Sequence, residues 1–200
     1  MNAGSIFERV YRSIKTELLR GAYRPGETIE PKILAEHHFA SVTPIRDALH
    51  RLAGERLVEA SAHDGFRVPL MTENALRDLY AWQEQLALLA CRLGAPRTHE
   101  ALGFPGAPVE RARNLFVGLA ARTGSAELET ATAMACDRLE PSRHAEVQLL
   151  VGLDDELSAL EGLLTQEPGK ELRAQLTRYR SRRVRLVPHL ITALHHGIPS

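Results

Sequence analysis

The sequence predicts a mostly α-helical protein, in which three helices and a two-stranded hairpin precede an all-α helical bundle. Apolar residues recur every three or four positions over most of the 200 residues, which is typical of amphipathic helices. Aromatic residues make up only 5%, so the core must come mainly from Leu, Val, Ile and Ala, which suits helices. Only residues 57–68 show the period of short strands. The character of the chain changes near residue 70, and we expect domains at 5–70 and 72–200.

Composition and charge exclude several classes of protein. A chain that is 44% hydrophobic and 25% charged is not disordered. The 25 Lys and Arg residues balance 25 Asp and Glu residues, which excludes a uniformly basic nucleic-acid binder but not a local basic face. No run approaches the roughly 18–20 apolar residues of a membrane span, and the first residues lack a signal-peptide core. We therefore expect a cytoplasmic protein with no membrane partner, and free buried thiols at Cys91 and Cys136.

The first two predicted helices follow from periodicity and turn residues. The first helix has an apolar residue at every fourth position: Ile6, Val10, Ile14 and Leu18. Gly21 ends it, and the Pro25-Gly26 pair suits a type II turn. Pro31 can occupy the first turn of a short second helix, with Ile33 and Leu34 facing inward.

A third helix and a hairpin complete the first domain. Thr43 supplies an N-cap and Pro44 the first helical residue. Leu57–Ala60 and Phe66–Val68 are short predicted strands, and Asp64-Gly65 between them is a hairpin signal. Three helices followed by a two-stranded wing is the element order of a winged helix-turn-helix.

Several motifs occur in this segment in a fixed order. They are L-x-x-G-x-Y-x-P-G-E from Leu18 to Glu27, the triplet 34–36 (LAE), TPIRDAL from Thr43 to Leu49, HRL at 50–52, LVE at 57–59, and the wing DGFRV at 64–68. In order and spacing they resemble the DNA-binding domain of the GntR family of bacterial transcription regulators, over about a third of the chain. The resemblance implies double-stranded DNA as the partner and favours repression. Because the recognition segment is only weakly basic, two copies per operator are needed, so we expect a homodimer on an inverted repeat.

Physical chemistry locates the expected DNA contacts at the start of the third helix. A recognition helix offers its N-terminal residues to base edges, and its first N–H groups suit a phosphate. Ser41 and Thr43 carry hydroxyls there, and Arg46 can donate two hydrogen bonds to a guanine or a phosphate. The alternative is that Arg46 pairs with Asp47 or Glu36 on a solvated face. Similarly, His63 at the wing tip either approaches the minor groove or lies in solvent. The expected DNA-contact residues are Lys32, Ser41, Val42, Thr43, Arg46, Arg51, His63 and Gly65.

Two positions depart from the family pattern. Val42 stands where the family has an arginine that contributes to base readout, and valine can touch a thymine methyl but cannot donate a hydrogen bond. Phe39-Ala40 replaces the common Gly-Val in the preceding turn. Either the operator differs from the family's common one, or binding is weaker. The alternative function is a helical dimerisation or interaction module whose winged helix has lost sequence-specific DNA binding.

The sequence of residues 72–200 predicts about six helices and a short tail helix. Thr72 caps the first of them, and Gly94–Pro108 is a long loop rich in Gly and Pro. Asp154-Asp155 caps a later helix, and Pro188 breaks the last long one. The further helices are expected at about 109–123, 125–139, 142–153, 156–166 and 170–187.

A winged helix followed by such a bundle resembles the FCD subgroup of GntR regulators. The resemblance implies a small carboxylate effector in the bundle, often beside a metal held by an Asp and three His. The expected ligand positions carry Arg113, Phe116 and Val117 on the second bundle helix, and Glu156 and Tyr179-Arg180 later. We therefore expect a degenerate site with no metal and no cofactor.

The arginines of the last predicted helix allow two interpretations, an anion site or a solvated basic face. If a small anion binds, the candidate residues are Arg113, Arg180 and Arg183; the alternative is a basic face that answers the acidic stretch 154–156. Adjacent histidines such as His195-His196 diverge by about 100° on a helix and rarely share a metal. GxSxG, HExxH, P-loop and CxxC motifs are absent from the sequence. We therefore expect no enzyme but an effector-responsive, sequence-specific repressor.

Overall fold

The structure is a computed structural model that describes residues 3–60, 65–94, 105–164 and 169–196. It confirms the mostly α-helical fold with an N-terminal winged helix-turn-helix. Two compact units are present: one runs to Met71 and includes the end of the last helix from Leu194, and the other is Thr72–Ala193. We call them the N-terminal unit and the helical unit. The predicted domain limits remain predictions, and the predicted contact His63, the turn residue Asp64 and most of the predicted loop 94–108 lie outside the described residues.

The N-terminal unit has three helices and three short strands. In chain order these are α1 (Ala3–Leu19), β1 (Thr28–Ile29), α2 (Pro31–His37), α3 (Val42–Gly54), β2 (Glu59–Ala60) and β3 (Phe66–Arg67). Strand β3 lies between β1 and β2 and is antiparallel to both. The sheet therefore contains a third strand, β1, that the predicted two-stranded wing lacked. At two residues, β1 is too short to show the alternation by which a strand is predicted.

The core of this unit lies between α1 and α3, with α2 packed against α3. Val10 and Ile14 of α1 and Ile45, Leu49 and Leu52 of α3 have no exposed surface. Each fully buried aliphatic side chain of this kind contributes about 1.5–3 kcal/mol to stability. Burial at these spacings confirms the apolar faces predicted for the first and third helices.

Two predicted details of the helix-turn-helix are wrong. Helix α3 begins at Val42 after Ser41 as N-cap, so Thr43 is not the cap and Pro44 is the third helical residue. Proline is tolerated there because the N–H groups of the first turn have no acceptor within the helix. Ile33 is half-exposed rather than inward-facing, whereas Leu34 is buried as predicted.

The helical unit contains five helices in the described residues rather than about six and a tail. They are α4 (Glu73–Leu93), α5 (Pro108–Ala121), α6 (Ala126–Leu149), α7 (Leu153–Leu164) and α8 (Lys170–His196). Thr72 caps α4 as predicted, because its side-chain oxygen accepts from the Ala75 N–H at 3.2 Å. Helix α7 begins at Leu153, so Asp154 and Asp155 lie within its first turn instead of preceding it.

The predicted breaks between residues 139 and 142 and at Pro188 are wrong, because α6 and α8 continue through their prolines. An interior proline removes one helical hydrogen bond and costs about 3 kcal/mol. Buried residues lie on both sides of each proline, Leu139 and Ala145 in α6 and Val187 and Leu190 in α8. Keeping these residues on one buried face offsets the cost of the proline.

Cys91 and Cys136 are buried free thiols, as predicted. No described helix is both long enough and apolar enough to cross a membrane.

The structure contains the type II turn predicted at Pro25-Gly26. The Glu27 N–H donates to the Arg24 carbonyl at 3.0 Å, and Gly26 has a φ of 83°. A Cβ at this position would lie 2.9 Å from the Leu70 Cδ2 atom. We expect Gly26→Ala to lower the free energy of unfolding by about 1–2 kcal/mol in urea titrations, because alanine is strained at positive φ. Gly54→Ala is the matched control: its Cβ meets nothing within 4 Å, so equal destabilisation of both variants would contradict this account.

Candidate functional site

The outward face of α3 is fixed by the face that it buries. Successive residues of a helix are about 100° apart, so residues 43, 46, 47 and 50 lie away from the buried set 45, 48, 49 and 52, whereas Val42 packs against the core. Of the outward residues, Thr43, Asp47 and His50 are exposed and Arg46 is half-buried. The structure therefore brings four predicted contacts, Ser41, Val42, Thr43 and Arg46, together at one end of one helix.

The N-terminus of α3 is suited to an anion. Ser41 is exposed and its hydroxyl makes no capping hydrogen bond. The N–H groups of Val42 and Thr43 are in the first turn, where a helix has no internal acceptor for them. These donors and the positive end of the helix dipole together favour a phosphate at this position.

The remaining predicted contacts lie on other elements. Lys32 is exposed at the second residue of α2, and half-buried Gly65 immediately precedes β3 in the wing. Their contacts to DNA remain predictions.

Arg51 has an intramolecular role. Its Nη1 donates to Glu8 at 3.1 Å, its Nε lies 3.6 Å from Glu55, and its guanidinium lies 4.0 Å from the centre of the Tyr11 ring. Glu55 also accepts from Tyr11 at 2.6 Å and from Lys15 at 2.7 Å. These contacts fasten α3 to α1, and they make Arg51 a positioning residue for the recognition helix. Its own contact to DNA remains a prediction.

His50 is a candidate contact that sequence patterns do not single out. It is exposed on the outward face of α3, one turn after Arg46. Its ring lies edge-on to Phe66 of β3, with centroids 5.0 Å apart. The signal in the sequence is its spacing of four residues from Arg46, which places both side chains on one helix face.

The three arginines predicted to hold an anionic effector are all paired with acidic groups. The pairs are Arg113 with Asp137, Arg180 with Glu84 at 2.7 Å, and Arg183 with Glu146 at 2.8 Å and Glu156 at 2.9 Å. Of these partners, only Glu156 belongs to the acidic stretch 154–156, and it also lies 3.7 Å from Arg182 of α8. The effector roles of the three arginines remain predictions.

Arg183 and Glu146 form a buried ion pair at the centre of a polar network. Arg183 has no exposed surface, and Glu146 has almost none. Tyr80 donates to the second Glu146 oxygen at 2.5 Å. Burial is the main cause that raises the pKa of Tyr80 well above its ordinary value, and the Glu146 charge adds to it. Tyr80 therefore stays protonated and acts as a hydrogen-bond donor.

Arg143 is a buried cation that no described carboxylate pairs with. It is 2% exposed, and its hydrogen bonds are long ones to Cys136, at 3.4 Å to the carbonyl and 3.7 Å to Sγ. The Arg143 Nε, the Tyr179 hydroxyl and the Thr132 hydroxyl are buried without a hydrogen-bond partner among the described residues. Buried polar groups are ordinarily satisfied by hydrogen bonds, so these three atoms are exceptions in the described part of the chain.

The metal that the FCD resemblance implies finds no matching ligands in the described part of the chain. Residues 3–60, 65–94, 105–164 and 169–196 contain no group of three or more His, Cys, Asp or Glu side chains that could hold a metal ion. An Asp-plus-three-His site therefore does not fit these residues, and no step of the function is assigned to a metal.

Two ion pairs of similar length but different burial can be compared for their contribution to the free energy of unfolding. We expect Glu146→Ala to lower the free energy of unfolding by about 3–5 kcal/mol, because it leaves Arg183 buried with one partner fewer. The Arg67–Glu59 pair is 2.9 Å long but about half-exposed, so Glu59→Ala should cost less than about 1 kcal/mol. Chemical denaturation of both variants gives the comparison, and equal losses would contradict the central role of the buried network.

Comparison with known proteins gives the family of the N-terminal unit. Residues 6–68 match the model of "Bacterial regulatory proteins, gntR family". The chain is 31% identical over 87 residues to the HTH-type transcriptional repressor GlaR of Escherichia coli (strain K12), covering 44% of this chain and 40% of that protein. It is 39% identical over 75 residues to the Nta operon transcriptional regulator of Aminobacter aminovorans, covering 38% and 36%. Each match thus spans about two fifths of the relative.

Solved structures resemble the fold over most of the chain. A putative GntR transcriptional regulator from Rhodococcus sp. RHA1 has a TM-score of 0.75 at 16% identity, covering 92% of this chain and 98% of that one. E. coli McbR/YncC has a TM-score of 0.66 at 19% identity, covering 92% and 97%. The FCD subgroup remains a prediction. The family model and the described geometry agree on the first part of the chain: residues 6–68 have a winged helix-turn-helix fold and match the gntR family.

Proposed function

We propose that the chain is a transcriptional regulator that binds double-stranded DNA sequence-specifically, as a homodimer on an inverted-repeat operator. The observation that carries the proposal is the N-terminal end of α3 in a gntR-family domain, where Ser41, Thr43 and Arg46 lie beside first-turn N–H groups with no internal acceptor. The matched relatives are named transcriptional regulators, and GlaR is named a repressor, which favours repression here. Such a regulator acts in the bacterial cytoplasm, and the proposal includes no catalytic step.

Base readout would rest on a few side chains of α3. Arg46 supplies two parallel donors for a guanine edge, and Val42 supplies an apolar contact for a thymine methyl. Residues 1–70 contain ten basic and nine acidic residues, a net charge of only +1. Non-specific attraction to phosphates is correspondingly weak, so two half-sites are needed for a useful affinity.

Arg46→Ala tests the readout. On a duplex recovered by selection from the host genome, we expect affinity to fall about 5- to 150-fold, the loss of one bidentate base contact. Arg12→Ala is the matched control: it removes the same charge from an α1 side chain that is 78% exposed, and its affinity should change little. Fluorescence anisotropy at fixed salt measures both, and the midpoint of thermal unfolding shows that the variants fold.

The same titrations distinguish the alternative function. If wild type and Arg46→Ala bind every duplex equally weakly, the N-terminal unit has lost sequence-specific binding and the chain is a helical interaction module.

Dimerisation has a candidate surface on α4. Trp82 is 50% exposed and Leu93 is 58% exposed, and their spacing of 11 residues, about three helical turns, places them on one side of the helix. Large exposed apolar residues that share a helix face are typical of protein interfaces.

Trp82→Arg tests the oligomeric state. We expect wild type to sediment as a dimer and to bind a full inverted repeat with two chains per duplex. Trp82→Arg should shift the protein towards the monomer and weaken binding to the full repeat, while a single half-site binds as before. A wild-type protein that stays monomeric at micromolar concentration and on DNA would refute the dimer.

The response to an effector would depend on the helical unit. The buried Arg143 guanidinium, with the nearby Tyr179 hydroxyl as a further hydrogen-bonding group, suits a small carboxylate. Binding would favour one arrangement of the two subunits over another and so change the half-site spacing that the dimer can span. The shift in operator affinity equals the ligand's difference in affinity for the two arrangements.

Arg143→Met tests this site. In thermal unfolding with a panel of acetate, succinate and citrate, we expect at least one carboxylate to raise the wild-type midpoint and to leave Arg143→Met unchanged. Without ligand, Arg143→Met should be at least as stable as wild type, because an unsatisfied buried charge is replaced by an apolar side chain. Arg111→Met is the control, since Arg111 already pairs with Glu161 at 2.8 Å. Carboxylate responses that are identical in all three proteins would refute the site.

A further inference from the structure

Phe39 occupies a backbone position that ordinarily belongs to glycine. Helix α2 ends at His37 with His38 as C-cap, so Phe39 is the first residue beyond the cap. The Ala40 N–H donates to the Ala35 carbonyl at 3.0 Å, and the Phe39 N–H donates to the Glu36 carbonyl at 3.3 Å. These two bonds define a Schellman motif, which requires the left-handed conformation at this residue. Phe39 accordingly has a φ of 50°, which is costly for a bulky side chain.

The side chain of Phe39 is also exposed. Its exposed fraction is 93%, against 2% for Phe66 of the wing, so the ring makes almost no contact with the rest of the chain. The residue therefore carries two unfavourable features, a strained backbone and an apolar ring in water, with no packing that offsets them. Strain of this kind persists mainly at functional positions.

The place of Phe39 in the fold indicates what the ring contacts. It lies two residues before the N-cap of α3, in the turn of the helix-turn-helix, and so continues the end of α3 that carries Ser41, Val42 and Thr43. A phenyl ring cannot donate to a phosphate or to a base edge. It makes an apolar contact, and the apolar group that DNA offers in the major groove is the thymine methyl.

We infer that Phe39 is a specificity-determining residue that packs its ring on a thymine methyl at the edge of each half-site. The inference rests on the proposed DNA-binding function and adds a second apolar contact beside that of Val42. Phe39 would select thymine at a position where glycine would select nothing.

Replacement of each operator thymine in turn by deoxyuridine removes one methyl and tests the contact. For wild type, we expect one symmetric pair of positions at which the loss, about three- to fivefold per methyl, depends on Phe39; this is the value of one buried carbon. In Phe39→Gly the same replacement should have no effect, and affinity for the unmodified operator should already be lower. Val151→Ala, which truncates another residue that is 90% exposed, should behave as wild type throughout.

Thermal unfolding separates a DNA contact from a structural role. Phe39→Gly should raise the unfolding midpoint, because glycine is unstrained at positive φ, while it weakens operator binding. A fall in both midpoint and affinity would indicate a structural role and overturn the inference.

The remaining outcomes distinguish this inference from the proposed function. If wild type binds its operator selectively but the thymine scan is the same in wild type and Phe39→Gly, the role of Phe39 is refuted and the regulator stands. If Phe39→Gly binds operator normally but fails to repress a reporter gene, the ring contacts a protein and the inference is refuted. If wild type shows no selectivity for any duplex, both fail together.

Discussion

Helix α3 buries Ile45, Leu49 and Leu52 in the core that it shares with α1, and this burial determines the geometry of the N-terminal unit. A helix has a fixed angle between residues, so the buried side chains also decide which side chains face outward. The network of Arg51, Glu55 and Tyr11 fastens the second half of α3 to α1 by charge and ring stacking. The first half, from Ser41 to Arg46, presents its polar groups outward. Helix α3 is thus held along its whole buried face, and the polar groups of its N-terminal end stay exposed.

The ion pairs of the two units differ in how far they are buried. In the N-terminal unit most ion pairs are partly exposed, and water screens them. In the helical unit, Arg183 and Glu146 are removed from water, and each requires the other in place. Arg143 adds a buried cation without an ion-paired carboxylate among the described residues. The two units therefore differ in where their charges lie: at a partly exposed surface in one and in the interior in the other.

Much of this fold is predictable because the determining signals are local. The apolar period of α1 and α3, the Thr72 cap and the Pro25-Gly26 turn each depend on residues close together in the chain. The uninterrupted helices through Pro141 and Pro188 are not predictable this way, since tertiary burial on both sides of a proline outweighs its local cost. Strand β1 is defined by its partner β3, and two residues carry no period of their own.

The candidate site is only partly predictable, because some of its contacts join residues that are distant in the chain. Ser41, Val42, Thr43 and Arg46 lie within about one and a half helical turns, so a motif in the sequence brings them together. The surroundings of Arg143 come from residues far apart in the chain, such as Phe116 and Tyr179, and its burial is visible only in three dimensions. Arg51 appears basic and outward in the sequence, but its partners Glu8 and Tyr11 lie some forty residues away on α1.

Trp82 gives the chain a built-in optical label. It is the only tryptophan in the sequence, it lies on α4 of the helical unit, and its half-exposed indole is sensitive to the polarity around it. Emission excited at the red edge of protein absorbance therefore comes from one unit alone, and the unfolding of that unit can be followed without a dye. The four tyrosines divide evenly, with Tyr11 and Tyr23 in the N-terminal unit and Tyr80 and Tyr179 in the helical unit. Tryptophan emission thus follows the helical unit alone and the tyrosine signal follows both units, so a difference between the two transitions would show that the units unfold in two steps.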